Sequence, residues 1–422
     1  MKKFLVLWAG ELLSTIGSGL TAFGLGVYVY QQTHMASSTA LIALLGLLPM
    51  ILLGPVAGVL ADRYDRRLLM ILGDSLSAIG LFYILFCLMS GHAKLWQICT
   101  GVTISSVFAS LLEPAYRATI TDMLPKEQYS KASGLMQMAG SAKFLISPFL
   151  AGFIMKFSGI TMILWIDIAT FFITVFATLF VARGMRKKQA ENQESFGAQF
   201  KEGVAILLKK RGVMLLVILS AVVCFFLTFI QVLSTPMVIA FSDEATLGVC
   251  ETICAMGMLV SSLFLGAVAI KKNYVKILSF SFFFLGLFMM LFGLRENVIL
   301  ITVAGFLFFA ALPFANTCLD LLVRSNIPNE LQGRAWGMIG LISQMGYVIA
   351  NVMIGYLVDY FFDPALCEGG IFYNNLGRVI GTGAGRGSAF LILLGGLCLC
   401  FFAPVIYRTK SIRQLEREGE SA

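Results

Sequence analysis

The chain has 422 residues, 58% hydrophobic and 13% charged, with a formal net charge of +8 and a mean hydropathy of +0.87. A soluble domain carries about 25% charged residues, so this composition excludes an ordinary soluble domain and points to a chain dissolved in lipid. The basic excess raises nucleic acid or anionic lipid as partners, and its distribution along the chain decides between them.

A bilayer core about 30 Å thick needs about 20 apolar residues per helical crossing. Twelve runs meet that need: 4–30, 39–60, 68–89, 95–121, 132–157, 160–181, 213–232, 247–270, 277–294, 298–323, 335–362 and 389–406. Lys2 and Lys3 ahead of the first run resemble a secretory signal, but the run continues past Gly19 without an A-x-A cleavage site and reads as the first retained helix. With the N-terminus on the cytoplasmic side, most of the 31 basic residues fall in cytoplasmic segments, as the positive-inside rule requires. Both termini are therefore expected in the cytoplasm, and topology and lipid contact explain the charge without nucleic acid.

The gap between the second and third runs holds Gly58, Asp62, Arg63, Arg66 and Arg67 in the pattern G-x-x-x-D-R-x-x-R-R. Asp62, at the inner end of its run, is placed to accept hydrogen bonds from the amides that open a neighbouring helix. Arg63, Arg66 and Arg67 can pair with Asp65 or with Asp122, forming a latch that breaks on opening; the alternative is that the arginines only set topology.

Inside the runs lie Glu11, Asp74, Arg117, Lys143, Asp167, Glu251 and Asp320. An ionisable residue inside a span is costly and faces a partner or a wet cavity. Glu11 and Lys143 are candidates for an ion pair that substrate or a proton disrupts, with Glu11 the proton carrier, or for a permanent buried pair. Arg117, Asp320 and Asp74 read equally as inner-gate salt bridges or binding residues, and Asp167 is a further coupling or substrate candidate. The fifth run carries Gly134, Ser147, Pro148 and Gly152, where small residues permit close helix approach and Pro148 permits a bend. Phe225, Phe226, Phe229 and several methionines fit either lipid-facing packing or an adaptable cavity.

Residues 184–212 turn polar and basic and divide the chain into six runs on each side, a bundle over 1–183 and another over 213–408, with a tail over 409–422. Within this linker, Phe200, Val204, Leu207 and Leu208 recur at helical spacing beside lysines, which predicts a helix on the inner membrane surface. The halves echo each other. Residues 117–152 align with 320–355, so that Pro125 matches Pro328, Glu127 matches Glu330, Gly134 matches Gly337 and Gly152 matches Gly355.

Enzyme chemistry finds little support. The glycine-rich stretch 381–387 lacks the Lys-Ser/Thr ending and preceding strand of a phosphate loop. His34 and His92 stand far apart, so no triad or metal site is expected. The nine cysteines form no disulfide or zinc pattern, and Cys250 and Cys254 read as packing residues.

The 58–67 pattern resembles the motif that the major facilitator superfamily of transporters carries between its second and third helices. The fifth run partly resembles the motif of that superfamily's exporters, with Lys143 and Ser147 where glycines stand. Trp8-Ala-Gly, Gly54-Pro55, Pro125-x-Glu127, Ser147-Pro148 and Glu202-Gly203 are similar to the bacterial macrolide-efflux type. The resemblance implies an all-α integral membrane protein of twelve helices in two pseudo-symmetric six-helix bundles, with a central cavity formed by spans one, four, seven and ten. It implies a monomeric secondary transporter of the cell membrane that exports amphipathic, macrolide- or drug-like molecules by exchange for protons, with no cofactor and no enzymatic step. An anionic metabolite or siderophore held by Lys143 and Arg117 is the alternative cargo, and a non-transporting sensor or scaffold the alternative class.

Overall fold

The computed structural model describes residues 2–91, 93–124, 128–182, 211–268, 270, 272–327, 332–368, 370–373 and 377–421. The surface helix expected within 196–208 lies outside the described residues. In chain order the long helices are α1 (Lys2–Thr33), α2 (Ala36–Arg63), α3 (Arg66–Met89), α4 (Leu95–Ala109), α5 (Leu112–Met123), α6 (Tyr129–Leu145), α7 (Ser147–Ala182), α8 (Arg211–Ile239), α9 (Glu244–Ala267), α10 (Tyr274–Gly293), α11 (Val298–Arg324) and α12 (Gln332–Leu357). A π-helical turn (Val358–Phe362), the short α13 (Asp363–Leu366) and α14 (Gly377–Ile380), then α15 (Arg386–Arg408) and α16 (Lys410–Ser421) complete the chain.

Among the described residues, 11 stretches are long and apolar enough to cross a membrane. One of them, Gly134–Val181, has 48 residues, enough for two crossings, and Gly159 at φ 73° breaks it between them. All twelve runs read from the sequence are thus present. Two are not single rods. The fourth splits into α4 and α5, because Pro114 has no amide proton and its ring would clash with the Ser110 carbonyl one turn earlier. The fifth splits at Ile146, with Pro148 in the opening turn of α7.

The helices divide into two compact units. The first comprises Met1–His34, Ser38–Asn192 and Asp243–Thr252, and the second Met35–Ser37, Gln193–Ser242 and Ile253–Ala422. Each unit therefore includes a short piece of the other half of the sequence. In the first, a stripe of small residues on α1 lies against α7. Gly10 faces Thr174 and Ala177, Gly17 faces Asp167 and Thr170, and Gly24 faces Ile160 and Ile163. The descending order makes the pair antiparallel, and the missing side chains let the backbones approach. In the second, α10 and α15 pack likewise, Gly286 on Gly396 and Gly293 on Ala389. After α15 the chain continues as α16, which buries Ile412 and Leu415; Leu415 lies against Gly212 of α8, and the Asn326 amide donates to the Leu415 carbonyl at 3.1 Å.

Candidate functional site

Polar groups concentrate inside the first unit on the faces where α1, α3, α5, α6 and α7 meet. Asp167 of α7 is 1% exposed, and Thr21 of α1 donates to its Oδ2 at 2.5 Å, with Ser18 Oγ 3.5 Å from Oδ1. Gly17 opens the space: a Cβ there would fall 2.7 Å from Asp167 Oδ1. The Ser147 hydroxyl donates to the Ile16 carbonyl at 2.9 Å and the Thr174 hydroxyl to the Gly10 carbonyl at 3.1 Å, fixing α7 on α1. Trp8 Nε1 donates to the Leu135 carbonyl at 2.7 Å and fixes α6 on α1.

Lys143 does not pair with Glu11. Its stem lies beside Gly19, and its charged neighbour is Asp167. Glu11 stands eight residues earlier on α1, about 12 Å along the axis at 1.5 Å per residue, beyond the lysine's reach. The neighbours of Glu11 are instead Glu113 and Tyr116 of α5 and Asp74 of α3. Asp74 makes no salt bridge: it is 0% exposed and neither carboxylate oxygen has a hydrogen-bond partner among the described residues. The Tyr116 hydroxyl is also buried, with no hydrogen-bond partner among the described residues. Thus Glu11, Asp74 and Asp167, on separate helices, share one interior with Lys143. The sequence showed the acids but not that Asp74 stands on the buried stripe of Ser77, Ala78 and Leu81.

Arg117 and Asp320, equivalent positions in the two halves, each pair within their own helix. Arg117 meets Glu113 at 2.7 Å, and Arg324 meets Asp320 at 2.8 Å, both across one turn. The motif at 58–67 spans the α2–α3 turn. Asp65 caps α3 by accepting from the Arg67 amide at 3.0 Å, and Arg66 Nε donates to the Ala61 carbonyl at 3.1 Å, closing the end of α2. Arg63 is exposed, and Gly58 has no neighbour among the described residues where a Cβ would stand. Asp62 and Asp122 lie in α2 and α5, with side chains outside the described residues.

At the opposite ends of these helices the repeat becomes visible as contacts. Gly152 of α7 packs on the start of α9, where a Cβ would lie 2.5 Å from the Glu244 carbonyl oxygen. Its equivalent, Gly355 of α12, packs on Ser37 at the start of α2. Four residues beyond Gly152, Lys156 donates to Asp243 at 2.7 Å; four beyond Gly355, Asp359 accepts from the Ala36 and Ser37 amides at 2.9 Å each. Gln31 also meets Glu244. Asp243 further accepts from the Thr246 hydroxyl and amide. Lys156 first, then Thr246, hold its carboxyl well below the usual carboxylate range. Asp243 and Glu244 lie between apolar runs, and Asp359 lies in the last turn of the 335–362 run, so none of them stands out as a charge deep inside a span. Gly134, by contrast, is exposed and meets nothing at its Cβ position among the described residues.

A family model described as Major Facilitator Superfamily matches residues 7–361. Macrolide efflux protein A of Streptococcus pyogenes is 24% identical over 365 residues, covering 85% of this chain and 89% of that protein. The uncharacterized MFS-type transporter YfiS of Bacillus subtilis is 25% identical over 377 residues, covering 85% and 87%. Among solved structures, that of the nucleoside transporter NupG superposes with a TM-score of 0.73 at 16% identity, covering 97% of this chain and 100% of that one. Twelve crossings, a charged turn after the second and a repeat carried into the packing agree with these matches, and the chain belongs to the Major Facilitator Superfamily of membrane transporters.

Proposed function

We propose that this transporter exports amphipathic organic molecules, macrolide-like compounds among them, across the cell membrane in exchange for protons. The observation that carries the coupling is that Glu11, Asp74 and Asp167 lie inside the spans of the first unit near the ammonium of Lys143, while Glu113 is paired with Arg117 and Lys156 with Asp243. Charge inside a bilayer is expensive, and a proton is the smallest ligand that neutralises the excess. The relation to macrolide efflux protein A supports the cargo class. An anionic cargo draws less support, because Arg117 is paired with Glu113 and Lys143 neighbours Asp167.

The proposal places both termini in the cytoplasm and treats the protein as a monomer of two six-helix bundles that alternate access by rocking. On the inner side the latch is Gly58, Asp62, Arg63, Arg66 and Arg67 with Asp122. On the outer side it is Lys156 on Asp243 and Asp359 on the first amides of α2. Gly134, Ser147, Pro148 and Gly152 supply the bend and close approach of the fifth span.

Inverted membrane vesicles test this directly. With an acidic lumen, a macrolide should accumulate inside, a protonophore should abolish the accumulation, and Glu11→Gln should flatten its dependence on the gradient. Accumulation indifferent to the gradient would remove proton exchange, and no flux for any amphipathic compound would remove the export reading.

A further inference from the structure

On one side of the second unit α8 begins, α10 begins and α11 ends, and α16 touches all three. At α8 it rests on bare backbone: a Cβ at Gly212 would lie 2.7 Å from the Leu415 side chain and 2.7 Å from the Ser411 carbonyl oxygen. At α11 the Asn326 side-chain amide donates both to the Leu322 carbonyl at 2.9 Å and to the Leu415 carbonyl at 3.1 Å, so one buried group ties the end of α11 to α16. At α10 the N-cap residue Asn273 sits at φ 60° and its side chain makes no capping hydrogen bond. Glu416 of α16 supplies what is missing there: its Oε1 accepts from the Val275 amide at 3.3 Å, a negative charge where a helix start favours one. The Asn326 bridge is not inherited from the repeat, since Met123, which holds its place in the first half, has no side-chain N–H to donate.

We infer that α16 is a brace that docks and undocks as one piece, that while docked it makes the ends of α8, α10 and α11 a single moving body, and that transport needs it docked. A helix of 12 residues is marginal on its own in water, so α16 keeps its shape only against these three helices. Its hold is narrow. Among the described residues it buries only Ile412 and Leu415, while Lys410, Arg413, Gln414 and Arg417 are exposed. Losing any one contact therefore weakens the seat of the whole helix. α8 and α11 are spans seven and ten, two of the four expected around the central cavity, so a brace across their ends decides whether those two walls shift together. This holds for any cargo and any coupling ion, and stands apart from the export reading.

Hydrogen–deuterium exchange of the purified full-length protein, read by mass spectrometry over the first two turns of α8 and of α10 and the last two of α11, is the test. Glu416→Gln keeps the side chain's volume and removes the charge from the Val275 amide. If α16 releases as one piece, this variant should speed exchange at all three ends by a common factor of about two- to tenfold, the range of a weakened cap, although Glu416 caps only α10. Leu415→Ala should do the same from the α8 side, and Lys410→Gln, on the exposed face, should change none of the three. Faster exchange confined to α10 in Glu416→Gln, or no change there at all, would overturn the brace; this variant decides if Leu415→Ala does not fold. Macrolide flux in inverted vesicles should fall in the variants whose three ends loosen together, and flux at the parent rate in those variants would remove the brace from transport. A parent protein without macrolide flux removes the export reading alone, and a common factor in exchange still upholds the brace.

Discussion

Asp167 and Asp74 are both buried acids of the first unit, and they differ in what surrounds them. Asp167 takes the Thr21 hydroxyl at 2.5 Å, whereas Asp74 has no donor on either oxygen among the described residues. Removing the donor from a buried acceptor costs about 1–3 kcal/mol. Thr21→Val should therefore lower the thermal unfolding temperature of the purified protein, while Thr21→Ser, which keeps the hydroxyl, should restore it. Asp74→Asn should not destabilise at all, since it removes an uncompensated acid at nearly constant volume, but it should weaken the response of transport to a proton gradient. A Thr21→Val protein as stable as the parent, or an Asp74→Asn protein that unfolds much earlier, would reverse the roles assigned to the two acids. The sequence showed that these residues are acids in lipid. It did not show which donors meet them, because a hydroxyl on α1 and a carboxylate on α7 are joined only by tertiary packing.

Helices and their joints were more legible. Apolar length alone located all twelve crossings, because lipid demands it of each one separately. The α4–α5 break was not read, since the residues on both sides of Pro114 remain apolar enough to continue the span. The repeat was legible for a local reason: a Pro-x-Glu pattern and small residues at fixed offsets recur in both halves. What the glycines do was not, because Gly134 and Gly152 look alike in the motif. Only Gly152 meets a neighbouring backbone, and this sets up an opposite outcome at the two positions. Gly134→Ala should be neutral or stabilise by up to about 1 kcal/mol, the helix-propensity difference of an open site. Gly152→Ala, with its new methyl on the Glu244 carbonyl oxygen, should push α9 from α7, lowering both unfolding temperature and transport. Equal tolerance at both sites would mean that the close approach is not needed.

At the scale of the molecule, the repeat built two contacts in related places with opposite chemistry. A helix start favours negative charge. The start of α9 has its own acid, Asp243, and α7 supplies the cation Lys156; the start of α2 has none, and Asp359 supplies it. If both belong to one opening motion, loosening one must raise the opening of the other. Local fraying raises only its own. Ser37→Cys, with the exposed Cys367 and Cys398 replaced by serine, reports on the α2 start through its rate of labelling by an external maleimide. Lys156→Ala removes a half-exposed pair worth about 0.2–1 kcal/mol and should raise that rate by up to about fivefold, though Lys156 makes its own contact at α9. Asp359→Asn removes an anion from two amides and should raise it more, by roughly 2- to 30-fold on the scale of helix caps. In the double variant a shared motion multiplies the two factors, and independent fraying leaves Asp359→Asn unaltered by Lys156→Ala. Acid provides a control with a definite sign. A carboxyl held low in the folded protein contributes fully above its unfolded value of about 4 and loses that contribution only as pH falls through the lower folded value. Because Lys156 and Thr246 hold Asp243 low, the Lys156→Ala effect should be the same at pH 5 as at pH 7; an effect that vanishes at pH 5 would show that the α9 contact does not depend on this ion pair.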